Sequence, residues 1–167
     1  MKAAALQMVS TPRVDENLAQ AQALIAQAAA QGAELVALPE YFCLMGHRDA
    51  DKLAIAEPLA DAEAPDAQTC PMQAMLAQAA KQHGVWLIGG TLPILSHEAQ
   101  RVFNTTLVFN PQGIRVARYD KIHLFGFHKG KEYYNESATI EAGRQPVAFD
   151  TPFGRVGMSI CYDMRFP

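Results

Sequence analysis

The chain has 167 residues, half of them hydrophobic and 19% charged, the balance of a folded globular domain rather than of a disordered segment. Fourteen basic against 17 acidic residues leave a net charge of −3 with no basic cluster, so there is no electrostatic ground for nucleic-acid binding. Three cysteines, Cys43, Cys70 and Cys161, make neither a disulfide framework nor a C-x-x-C metal site. They point to a reducing compartment, and a cytoplasmic protein is the expectation.

Lys2 to Val9 reads as a first strand and not as a signal peptide, whose apolar stretch would be longer. No run approaches the about 20 apolar residues of a membrane span. A helix is predicted from Glu16 to Gln31, with Leu18, Ala21, Ile25 and Ala28 on one face and Gly32 as its stop. Leu35 to Leu38 is a buried strand, ended by Pro39-Glu40. Residues 41–68, broken by Gly46, Pro58 and Pro65, read as loop with some helix. Met72 to His83 is the next helix, with Pro71 in its first turn and Gly84 just past its end. Val85 to Ile88 is a strand running into Gly89-Gly90. Val102 to Phe109 and Ile114 to Tyr119 form a hairpin around Asn110-Pro-Gln-Gly113. Lys129 to Glu141 is polar and loop-like. Val147 to Asp150 and Val156 to Ile160 are two further strands. Alternating strands and helices followed by hairpins give an α/β fold class.

Three residues stand out chemically. Cys161 sits between the strand ending at Ile160 and a helical start at Tyr162-Asp-Met-Arg165. A side chain on a sharp strand-to-helix turn is presented above the sheet, and the N–H of Tyr162 faces an incoming carbonyl oxygen. A thiolate there can form an acyl intermediate. On local context alone, an isolated cysteine is more often a buried small hydrophobe. Glu40 closes the apolar run from Leu35, where a carboxylate is costly unless paired or open to a cleft, and there it can serve as a general base. Lys121 follows the strand ending at Tyr119 and can donate to a developing oxyanion. Glu40 alone reads as a loop glutamate just outside the sheet, and Lys121 alone as a solvated surface charge. Together they fall at the C-terminal ends of strands, the edge of an α/β sheet where ligands collect.

Leu38-Pro-Glu40-Tyr, Tyr119-Asp-Lys121-Ile-His-Leu-Phe125 and Ser159-Ile-Cys161-Tyr-Asp-Met-Arg-Phe-Pro167, with Gly89-Gly90 and Phe103-Asn104-Thr-Thr, resemble the nitrilase superfamily of carbon–nitrogen hydrolases. The order Glu, Lys, Cys, with spacings of 81 and 40 residues, suits that family. The resemblance implies an αββα sandwich of the nitrilase type, of which residues 1–167 would be the N-terminal portion of one carbon–nitrogen hydrolase domain, incomplete at its C-terminus. It implies Glu40, Lys121 and Cys161 as catalytic residues, no metal and no cofactor, and dimers or larger homo-oligomers. A second family glutamate matches Glu136, with Glu132 as the competitor. The segment around Cys161 resembles the branch of ω-amidases and deaminated glutathione amidases, which implies a small carboxylate-bearing amide as substrate. Arg165 either meets that carboxylate or braces its own helix. Nitrile or carbamoyl hydrolysis and acyl transfer use the same three residues. A non-catalytic fragment or interaction module is the alternative from another class.

The remaining candidates have plainer readings. His123 and His128 lack helical metal-ligand spacing and read as packing or pocket-lining groups. His47, His83 and His97 read as solvated. Cys43 and Cys70 read as structural thiols, with Cys43 near enough to Glu40 to line a pocket wall.

Overall fold

A computed structural model describes residues 1–167. Strands β1 (Ala3–Ala5), β2 (Leu35–Ala37) and β3 (Trp86–Ile88) run parallel. They are joined by helices α1 (Val14–Ala30) and α2 (Pro71–His83), as a parallel pair requires a crossover. The sheet continues antiparallel through β5 (Val102–Phe109), which pairs on one side with β3 and β4 (Leu92–Leu95) and on the other with β6 (Arg115–Asp120). Two small hairpins follow: β7 (Gly126–Lys129) with β8 (Glu132–Asn135), and β9 (Ala148–Thr151) with β10 (Gly154–Gly157).

Both helices cover one face of the sheet. Ala21, Ile25 and Ala28 of α1 and Leu76 and Ala80 of α2 share one core with Val36, Leu87 and Leu107. Leu18 lies at the margin of that core, and the fully buried first-turn residue is Asn17, which bonds to Thr11 and to the Cys43 carbonyl. Because strand side chains alternate, Trp86 faces away from the helices, where it stacks on Phe149 of β9 at 6.1 Å. The order of layers is therefore helices, sheet, then the β9–β10 hairpin. No helix is long and apolar enough to cross a membrane.

The structure revises several boundaries. Pairing of β1 and β2 stops early because Pro39 has no N–H to continue the ladder and Tyr41 turns the chain at φ 54°. The strand β4 lies where the sequence suggested none. Its Pro93 argues against a central strand, and β4 is an edge strand, where proline is tolerated. The segment from Lys129 is not a loop: it belongs to the β7–β8 hairpin, exposed along nearly its whole length and so lacking the alternation that marks a strand in sequence. A seven-residue 3₁₀ helix, Asp49–Ile55, occupies part of the 41–68 segment. The last strand ends at Gly157, short of Ile160.

Gly84 ends α2 in the left-handed conformation (φ 63°), as its position suggests. Gly90 is more constrained: at φ 56°, an added Cβ would lie 2.2 Å from the carbonyl oxygen of Pro39. The close approach of these two backbones fixes the start of the loop carrying Glu40. Gly90→Ala is expected to lower the unfolding free energy by about 1–3 kcal/mol, read as a lower urea midpoint. An unchanged midpoint would mean that the Pro39 loop yields freely.

Candidate active site

β6 runs parallel to β2 and β3, since each is antiparallel to β5 or parallel to its neighbour. Glu40 and Lys121 therefore emerge at the same edge of the sheet. Backbone pairing persists one residue past β6, with the Lys121 N–H donating to the Asn104 carbonyl at 2.9 Å. Tyr119 and Lys121, two apart on an extended chain, project to the same side.

Lys121 has no exposed side-chain surface. Its ammonium donates to Glu40 Oε1 at 3.0 Å and to Glu136 Oε1 at 2.9 Å. Burial works to lower its pKa, but the two carboxylates outweigh burial and hold it above the ordinary lysine value. Glu136 is buried and anchored, its Oε2 accepting from the Phe125 N–H at 2.7 Å. Glu132 lies on the exposed β8 strand, away from this cluster. Glu40 is more open, with 24% of its side chain exposed, and its Oε1 also accepts from Asn104 Nδ2 at 2.9 Å. Both contacts fall on Oε1.

Cys161 is exposed, at φ 48°, one of two non-glycine residues in the left-handed region. It opens a 3₁₀ turn, Cys161–Arg165, rather than an α-helix. The first bond of that turn runs from the Asp163 N–H to the Ile160 carbonyl at 3.1 Å, so the Tyr162 N–H precedes the bonded ladder. Cys161 and Glu40 line one cavity of about 260 Å³ with Gly90, Thr91, Thr106 and Ile160. The thiol pKa is raised, first by partial burial and then by the Glu40 carboxylate, while Lys121 pulls it down.

The structure thus brings Glu40, Lys121, Glu136 and Cys161 into one cluster. Arg165 is exposed, with no carboxylate in ion-pair range, so it does not brace its own turn through an acidic neighbour. Cys43 is fully buried, its thiol pushed up to about 12 by burial, and Cys70 is buried against the Pro58 carbonyl. His123 packs on Phe166 and bonds Asp163, whereas His128 lies on the exposed β7 strand. Asn104, Tyr119 and Asp163 carry the cluster's supporting bonds and had no assigned role in the sequence. Asn104 could have been found from its register, since it precedes the pair Thr105 and Asp120 and so lies opposite Lys121.

The profile of the carbon-nitrogen hydrolase family matches residues 2–167. The chain belongs to that family. It is 42% identical over 170 residues to the deaminated glutathione amidase of Synechocystis sp., a match covering 99% of this chain and 58% of that protein. It is 38% identical over 155 residues to the omega-amidase NIT2 of Homo sapiens, covering 90% of this chain and 51% of that one. Among solved structures, the C. elegans NitFhit protein superposes with a TM-score of 0.80 at 31% identity, over 98% of this chain and 38% of that one. The chain thus spans a little over half the length of the curated relatives it matches, and those relatives are amidases.

The electrostatics give a direct test. Alkylation of Cys161 by iodoacetamide is expected to be slow at neutral pH and to rise only in the alkaline range. Glu40→Gln removes the negative neighbour and should move the profile to lower pH; Lys121→Met should move it higher. Profiles that coincide in all three proteins would mean that the thiol senses neither group.

Proposed function

We propose that this chain carries the reacting groups of an amidase that cleaves a small carboxylate-bearing amide through a cysteine thioester. The observation that carries the reading is the buried Lys121 ammonium held between Glu40 and Glu136 beside an exposed cysteine on a strained turn. Identity to two amidases of carboxylate-bearing substrates supports the substrate class.

In this scheme the Glu40 carboxylate takes the proton of the Cys161 thiol, and the sulfur attacks the amide carbon. The carbonyl electron pair moves onto oxygen, where the Lys121 ammonium and the Tyr162 N–H hold it. Collapse breaks the carbon–nitrogen bond, and the leaving nitrogen takes the proton from Glu40. A water then gives its proton to Glu40 and attacks the thioester, and the thiol departs with that proton. The charge arithmetic favours Glu40 as base: one ammonium faces two carboxylates, and Glu136 is the one locked by a backbone donor. The raised thiol pKa fits a nucleophile that rests protonated and loses its proton only as the carbonyl arrives. Arg165, exposed and without an acidic partner, is the side chain offered to the substrate carboxylate.

Ammonia release from 2-oxo-dicarboxylate monoamides and from deaminated glutathione tests the reading. Cys161→Ala is expected to abolish turnover, and Lys121→Ala to lower kcat by about 10²–10³-fold. Arg165→Ala should raise KM for carboxylate-bearing amides while sparing neutral ones. Normal turnover in Cys161→Ala would end the scheme.

A further inference from the structure

The carboxylate of Asp163 is buried and makes four hydrogen bonds to three separate segments. Oδ2 accepts from the Ile160 N–H at 2.9 Å, within the cysteine turn, and from the Tyr119 hydroxyl at 2.6 Å, on β6. Oδ1 accepts from the His123 N–H at 2.9 Å and meets His123 Nδ1 at 2.8 Å, on the loop leaving β6. Tyr119 and His123 flank Lys121 by two residues on each side. One carboxylate thus ties the turn carrying Cys161 to the chain on both sides of Lys121. The His123 ring closes the same junction by stacking on Phe166 with centroids 3.8 Å apart.

A local cap would need only the Ile160 bond. The other three bonds cross to a different element, and they hold a cysteine in a backbone conformation that side chains disfavour. The Asp163 carboxyl lies below the ordinary range: burial opposes this, but the Tyr119 hydroxyl and the Ile160 and His123 N–H groups outweigh it, so the carboxylate persists across neutral pH.

We propose that Asp163 is a positioning residue that sets where the Cys161 sulfur stands relative to Lys121 and Glu40. The inference rests on the reading of those three as the reacting groups. Asp163 touches neither substrate nor sulfur; it acts through the turn.

The test uses the chain itself and site-resolved iodoacetamide labelling across pH, with kcat and KM for amide turnover alongside. Asp163→Asn keeps the size but loses the charge and one acceptor. It should move the Cys161 labelling profile from its raised position toward that of a free thiol, with Cys43 and Cys70 still protected. Turnover should lose on the order of 10²-fold in kcat, the cost of about 1 Å of misplacement, with KM changed far less. Tyr119→Phe removes one bond and leaves the carboxylate, so it should move the profile in the same direction by a smaller amount. An unmoved profile and unchanged kcat in a folded Asp163→Asn protein would overturn the proposal. If Asp163→Asn instead exposes Cys43 and Cys70, Tyr119→Phe decides, and an unmoved profile in that variant overturns it. Labelling needs no substrate, so absence of amide turnover in the parent would count against the proposed function while the thiol profile still decides this inference.

Discussion

An ammonium with no exposed surface is among the least tolerable groups a protein can bury, and it persists only with charged partners in good geometry. Lys121 has two, and they come from places far apart in the chain: Glu40 from the loop after β2, and Glu136 from the 3₁₀ turn after the β7–β8 hairpin. Satisfying one cation therefore fixes three elements against one another. It also fixes the local charge. A single positive group between two negative ones leaves an excess of negative charge, and that excess lies on the side of the more open carboxylate, next to the thiol. Partial burial first and that negative neighbour second raise the thiol pKa, so the cysteine keeps its proton beside a carboxylate able to receive it.

The sheet makes that convergence possible at little extra cost in order. β2 and β6 point the same way, so residues just past their ends meet at one edge. Between them runs β5 in the opposite sense, and its residue opposite Lys121 is Asn104. Its carbonyl receives the Lys121 N–H while its side chain reaches Glu40. The same residue thus fixes the backbone carrying the ammonium and the head group of the carboxylate, which places the two charges by one rigid element rather than by two flexible loops.

This logic explains what the sequence disclosed and what it withheld. Helix α1 was legible because its apolar positions repeat with helical period and Gly32 marks its stop, and α2 because Pro71 and Gly84 mark its start and stop. The β5–β6 hairpin was legible through Pro111 and Gly113. The β7–β8 hairpin was not, since both its faces meet solvent and no alternation is imposed on it. β4 was hidden by Pro93, which only an edge position excuses. Glu40, Lys121 and Cys161 showed through the motifs around them and their spacing. Asn104, Tyr119 and Asp163 act by hydrogen bonds across 64, 44 and 40 residues of chain, and pairwise geometry of that range leaves no local pattern to read.

The two non-glycine residues at positive φ are Tyr41, next to Glu40 in the chain, and Cys161 itself. Such conformations last only where neighbours over-determine them. At Tyr41 the backbone N–H donates to Thr91 Oγ1 at 2.8 Å, and Gly90 packs against the preceding Pro39 carbonyl. At Cys161 the Asp163 carboxylate holds the turn from within and from β6. In both cases a side chain, Thr91 or Asp163, adds a restraint that the strand ladder no longer supplies, because each residue lies past the end of its strand. Leaving the ladder is what frees Glu40 and Cys161 to face a cavity. The same departure removes the bonds that would otherwise fix them, and Thr91 and Asp163 restore that order where the sheet cannot.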